Sequence, residues 1–261
     1  MTRLTSLALA ALAAALLGCA SGPAQSARPV VSEDAEREAR AHHNQGASLL
    51  REGKVPHAIR ELRAAAGLNP NDPWIRLALG EAYRLRGMMD EAQHEIREAL
   101  VIDPKFQEAH LTLSGIYIQL ERYADAIAEA QILIDDPTYG EVWMPLVNKG
   151  YALMQLGELS EARKSLELAA EFKDSYWRAY LNLGILAALE GQREEALAHF
   201  ARVIELGAGT LGRAEANYRS AEIYVSLGDQ GRAIRHLLAA NEQNPDGQWG
   251  RASVEYLKRL Q

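Results

Sequence analysis

The feature that most constrains this chain is a self-similarity with a period near 34 residues. The clearest unit runs through Leu79, Gly80, Tyr83, Gly87, Ala92, Ile96, Ala99 and Pro104. The same spacing occurs 34 residues upstream in Gly46, Leu49, Gly53, Ala58, Leu62, Ala65 and Pro70. Downstream it continues through Leu113, Ser114, Tyr117, Ala126, Ala130 and Leu133, then through Gly150, Leu153, Gly157, Ala162, Leu166 and Ala169. A fifth set is Leu183, Gly184, Gly191, Ala196, Phe200 and Val203; a sixth is Ala221, Tyr224, Gly228, Ala233, Leu237, Ala240 and Pro245. A unit of this length holds two helices and a turn, too little to bury its apolar face alone, so the units must stack. Small residues let the two helices approach, while large apolar residues are expected to fill the gaps between pairs. The mid-unit glycine can end a helix in the left-handed conformation, and the terminal proline stops the second helix. With aromatics at 7% and Ala, Leu, Glu and Arg abundant, the composition favours helix over strand.

These residues resemble the tetratricopeptide pattern at its positions 7, 8, 11, 15, 20, 24, 27 and 32. The resemblance implies an all-α fold: a right-handed α-solenoid of six tetratricopeptide helix pairs plus a C-terminal capping helix. The units fall at about 39–71, 73–105, 107–140, 143–175, 177–210 and 214–247. Residues 248–261 carry Val254, Leu257 and Leu260 at helical spacing and read as the capping helix. Two junctions are long, at 135–140 and at 207–212; simple drift in a tolerant loop accounts for both, and the glycine-rich second is the better placed of the two to be a hinge. Asp135 and Asp136, just before Pro137, read as a turn cap rather than as an acid pair or a calcium ligand.

The N-terminus carries a separate message. Arg3 precedes an apolar run over 4–17 that is too short for a permanent span but suits a signal-peptide core. It ends in Leu16-Leu17-Gly18-Cys19, which resembles the bacterial lipobox. That resemblance implies that residues 1–18 are removed and that Cys19 receives a covalent lipid, with no other cofactor. Ala20 in place of Asp implies the outer membrane, on its periplasmic face, as destination. Cys19 is the single cysteine, which excludes an intramolecular disulfide and a thiolate metal site. Residues 19–34, with Ser, Gly, Gln, Pro23 and Pro29, read as a flexible tether.

The chemistry of catalysis is missing from the sequence. No two of the seven histidines stand three or four apart, and there is no Gly-x-Ser-x-Gly turn or glycine-rich phosphate loop. A net charge of −7 with scattered Lys and Arg excludes a nucleic-acid stripe. The chain is therefore expected to be a binding scaffold, with no catalytic residue, no metal and no small-molecule substrate. Its groove is expected on the first helices, at Trp74, Leu77, Leu111, Ile118, Val147, Tyr151, Met154, Leu181 and Ile185. Such an apolar face suits an amphipathic helix or an extended apolar strand of a protein partner. A clamp for C-terminal carboxylates needs Lys, Asn and Arg here; units one and two instead offer His43, Ala47, Leu77 and Glu81.

A lipoprotein signal, a short tether, six repeat units and a closing helix within 261 residues resemble the type IV pilus pilotins of the PilF and Tgl type. The resemblance implies a monomeric, lipid-anchored scaffold that binds subunits of the outer-membrane secretin. It would promote their localisation and multimer assembly, and with them twitching or social gliding motility. The alternative is an envelope adaptor that gathers peptidoglycan hydrolases or outer-membrane assembly factors.

Overall fold

The structure, a computed structural model, describes residues 31–260. Residues 1–30 and 261 lie outside the described residues, so the signal peptide, the lipobox with Cys19 and most of the expected tether lie there too. Among the described residues there are thirteen helices and no strand. The first four are α1 (Glu33–Arg51), α2 (Val55–Leu68), α3 (Pro73–Arg86) and α4 (Met89–Ile102). The next four are α5 (Gln107–Gln119), α6 (Tyr123–Ile134), α7 (Trp143–Gln155) and α8 (Leu159–Phe172). The remainder are α9 (Trp177–Leu189), α10 (Arg193–Glu205), α11 (Gly209–Ser226), α12 (Gln230–Gln243) and α13 (Gln248–Leu260).

Consecutive helices pack as hairpins, α1 with α2 through α11 with α12, and α13 closes the stack against both α11 and α12. Each first helix also touches the first helix of the next pair, from α1 with α3 to α9 with α11. Among the described residues the backbones of successive second helices stay apart, and α8 reaches α10 through the long side chain of Arg163, which pairs with Glu195 at 2.6 Å. A stack whose first helices are close and whose second helices are splayed must curve, with the first helices on the inner side.

The close approach within a pair has a simple cause. A methyl group added at Gly80 would lie 2.6 Å from Cδ1 of Ile96 and 3.2 Å from the carbonyl oxygen of Ala92. Gly46 stands in the same relation to Leu62, Gly150 to Leu166 and Gly184 to Phe200, each at 2.6 Å. The large residue at position 24 thus fills the space over position 8 of its own pair, where a gap between pairs was expected. In the third pair Ser114 takes the glycine's place, and its hydroxyl donates to the Ala126 carbonyl at 3.0 Å.

The turns repeat as faithfully. Position 16 donates its N–H to the carbonyl of position 11 in every pair, as in Met88 to Tyr83 at 2.9 Å and Arg122 to Tyr117 at 2.8 Å. This closure needs a left-handed residue at position 15. Gly53, Gly87, Gly157, Gly191 and Gly228 supply it, with Glu121 in the third pair at φ 58. Prolines set helix ends as expected, and Pro73 opens α3 behind Asp72, whose side chain accepts from the N–H groups of Trp74 and Ile75.

Three expectations need correction. Helix α1 starts at Glu33, inside the segment read as tether, because Ser32 caps it by accepting from Ala35 N–H and three acids occupy its first turn. The glycine-rich junction at 207–212 is not an open hinge, since α11 begins at Gly209. A methyl group at Gly212 would come within 2.8 Å of the Trp177 ring, so that glycine makes room for packing. In α13 the buried positions are Gly250 and Ser253, and Val254 is exposed. The junction at 135–140 behaves as read: the Asp136 carboxylate accepts from Thr138 N–H at 2.8 Å and from Gln107 Nε2 at 2.6 Å. Hydrogen bonds from the Thr138 side chain, then from its backbone, hold the Asp136 carboxyl below the usual range.

Candidate binding groove

On the inner side the first helices enclose an open cavity of about 770 Å³. Its wall comes from Arg84 on α3, from α5, α7 and α9, from Glu215 and Arg219 on α11, and from Gln248 and Trp249 on α13. Six residues singled out in the sequence meet there: Leu111 and Ile118 on α5, Val147 and Tyr151 on α7, Leu181 and Ile185 on α9. They stand four or seven residues apart on their helices, so each pair presents one stripe to the groove. Val147 and Leu181 are mostly covered by neighbouring helices and offer only an edge.

Trp74, Leu77 and Met154 do not join them. Leu77 is 7% exposed and Met154 5% exposed, each within a core cluster. The inward stripe of a repeat helix also faces the next helix in the stack, and here that contact absorbs both side chains. Trp74 is 52% exposed and packs edge-on against Phe106 at 4.7 Å between ring centres, which fixes it at the junction of the second and third pairs.

The groove is not the apolar face the sequence suggested. Position 6 of the repeat contributes Thr112, Asn148, Asn182 and Arg219 to its wall, with Gln119 beside them. That column is polar in four consecutive units, a signal present in the sequence, where isolated polar residues on a helix resemble solvated surface. The Asn182 amide donates back to the Arg178 carbonyl at 2.9 Å, and Asn148 reaches Ser114 Oγ at 3.4 Å. Arg84, Arg178 and Arg219 add three guanidinium groups against the single carboxylate of Glu215. Arg219 donates to Glu215 at 2.9 Å and lies over the Trp249 ring at 5.2 Å. Arg178 lies over Trp177 at 4.8 Å.

Burial shapes the titrating groups around this wall. Desolvation pushes the Tyr176 hydroxyl up, and it raises the Glu81 carboxyl on α3 against the opposing charge of Arg84. Glu222, in a smaller hollow that shares Ile185 and Arg219 with the groove, is raised in the same way, with Arg219 opposing. Among the described residues no group of three or more His, Cys, Asp or Glu could hold a metal ion. No described helix is long and apolar enough to cross a membrane.

Three family models described as tetratricopeptide repeat match residues 49–105, 147–210 and 214–246, together more than half of the chain. Among solved structures it is similar to PilW, described as a widely conserved type IV pilus biogenesis factor. That likeness has TM-score 0.72 and 20% identity, over 83% of this chain and 98% of PilW. It is also similar to PilF of Pseudomonas aeruginosa, with TM-score 0.68 and 18% identity, over 87% of this chain and all of PilF. A chain of the APC/C hetero-tetramer Cut9–Hcn1 gives TM-score 0.72 at 17% identity over 85% of this chain, but only 43% of that chain is matched. Among curated proteins, the human protein O-mannosyl-transferase TMTC1 is 26% identical over 166 residues. The chain spans less than a fifth of the length of that relative and of its mouse counterpart.

Proposed function

As this chain belongs to the tetratricopeptide repeat family, we propose that it is a pilotin-type scaffold of type IV pilus biogenesis, whose inner groove holds a segment of the outer-membrane secretin. The observation that carries this reading is mutual coverage. The stack that curves around the groove covers 98% of PilW and all of PilF, against 83% of a tetratricopeptide repeat protein of Parabacteroides merdae and 43% of a chain of the Cut9–Hcn1 hetero-tetramer. The lipobox at Cys19 supports a lipid anchor, and each buried acyl methylene contributes about 0.8 kcal/mol, so several chains hold the body at the outer membrane.

The mechanism is confinement. A secretin subunit seated in the groove is held near the lipid surface at high effective concentration and meets other subunits there. No bond is made or broken, so the groove needs only complementarity and a lifetime long enough for neighbours to dock. Deletion of the gene followed by non-denaturing analysis of secretin multimers tests this. We expect unassembled secretin subunits and loss of pilus-driven motility. Normal multimers, with cell-wall cleavage disturbed instead, would favour the hydrolase adaptor.

A further inference from the structure

The charges of the groove oppose those of the protein. The chain carries 35 acidic and 28 basic residues, yet the groove wall holds Arg84, Arg178 and Arg219 against Glu215 alone. Arg219 is occupied by Glu215. Arg84 and Arg178 take part in none of the ion pairs among the described residues, although Glu81 on α3 lies near enough to Arg84 to feel its charge. They come from α3 and α9, and α5 and α7 lie between them with Ile118 and Tyr151. The groove therefore presents Ile118 and Tyr151, flanked by the polar Thr112, Gln119 and Asn148, with a guanidinium on either side that forms no ion pair.

Resting on the groove reading above, we infer that the accepted segment is an acidic amphipathic polypeptide. Its apolar side chains seat on Ile118, Tyr151 and Ile185, and its Asp or Glu side chains reach Arg84 and Arg178. Guanidinium groups suit this task, since each offers a planar fork to a carboxylate and stays charged at any working pH. In an acidic protein such a groove also selects by repulsion. An acidic segment is turned away by the outer surface and accepted only inside, so charge fixes where it docks as well as how fast.

The test uses the full chain in detergent and three labelled peptides, acetylated and amidated so that only side chains carry charge. All three share one pattern of Leu and Ile, with Glu, Gln or Lys at the remaining positions, and binding is read by fluorescence anisotropy. Each step from Glu to Gln to Lys should weaken binding by about tenfold. The variant carrying Arg84→Glu and Arg178→Glu should reverse that order. Equal affinities for the three peptides, or no binding by any, would overturn the inference, as would an order that survives the double change. Ile118→Glu separates the two readings. If it weakens all three peptides while the charge order is absent, the groove stands and only its preference for acids falls. If it changes none of them, the groove itself is wrong. Vesicles of phosphatidylglycerol that compete for the two arginines in place of the Glu peptide would assign the charge to lipid and overturn the inference.

Discussion

A single methyl group is enough to disturb this fold at the positions where the helices of a pair touch. Gly184 lies under the Phe200 ring, which is fully buried and rigid, so an added Cβ at 2.6 Å cannot be absorbed by a flexible chain end. Gly184→Ala should therefore lower stability by about 1–3 kcal/mol, the usual cost of overpacking. An unchanged urea midpoint would contradict the packing of α9 on α10. The opposite case is Glu121, which holds the left-handed turn at φ 58 where the other pairs use glycine. An L-residue there loses about 1–2 kcal/mol, part of which glycine returns by loosening the unfolded chain. Glu121→Gly should then gain about 0.5–1 kcal/mol, read as a higher urea midpoint. These two positions show why so much was legible in the sequence. The constraint acts at single positions, and glycine meets it in four of six units at position 8 and five of six at position 15. Position 24 was misread because spacing alone does not say whether a large side chain fills its own pair or the next.

Within a helix pair, a second column ties the elements together and went unseen in the sequence. Position 4 on the first helix meets position 23 on the second: His42 with Glu61 at 2.8 Å, Arg76 with Glu95 at 2.7 Å, His110 with Glu129 at 2.6 Å. The fifth pair puts Tyr180 beside His199, and the sixth puts Asn217 against His236 at 2.8 Å. The residue types change from unit to unit, so no pattern survives in the sequence, although the geometry does. Two histidines of this column, His110 and His236, are shifted in opposite directions. The hydrogen bond that His110 donates to the Glu129 carboxylate raises it above its ordinary value near 6.5, while burial first, then Arg235 and Arg232, lowers His236 below it. A raised histidine stabilises fully below the unfolded value and loses that contribution as pH rises through its folded value. A lowered one is neutral when folded, so stability falls as pH drops below 6.5 toward its folded value. Urea midpoints between about pH 5 and pH 8 should separate them. His110→Gln should flatten the loss on the alkaline side of 6.5, and His236→Gln the loss on the acid side. Parallel profiles for the two variants and the parent would show that neither pair couples to folding.

For the molecule as a whole, the stack and its curvature were legible because repetition multiplies a weak signal, but the groove was legible only in part. Leu111, Ile118, Val147, Tyr151, Leu181 and Ile185 line it, whereas Leu77 and Met154 are core. One stripe of a repeat helix serves both packing and binding, and the share of each depends on the curvature, which no single unit encodes. The arginines and the position 6 column escaped because charged and polar residues on a helix read as solvated surface until the stack brings them together. Two whole-molecule predictions separate the anchor from the groove. Cys19→Ala should leave the circular dichroism spectrum and the urea midpoint unchanged while the protein leaves the membrane fraction, and incorporation of labelled acyl chains should stop. A variant that still labels and still sediments with membranes would remove the anchor from the proposal. Ile118→Glu should do the reverse. The protein should stay with membranes and keep its fold, because Ile118 is only half-buried and faces the cavity. Its partner must then cover an unpaired carboxylate, which costs several kcal/mol and weakens a micromolar complex by about a hundredfold or more. Secretin multimers should fall accordingly. Glu171→Lys, exposed near the end of α8 on the outer layer, should change neither fold nor assembly. Full multimer yield from a folded, membrane-bound Ile118→Glu protein would move the partner off the inner face and onto the turns between pairs.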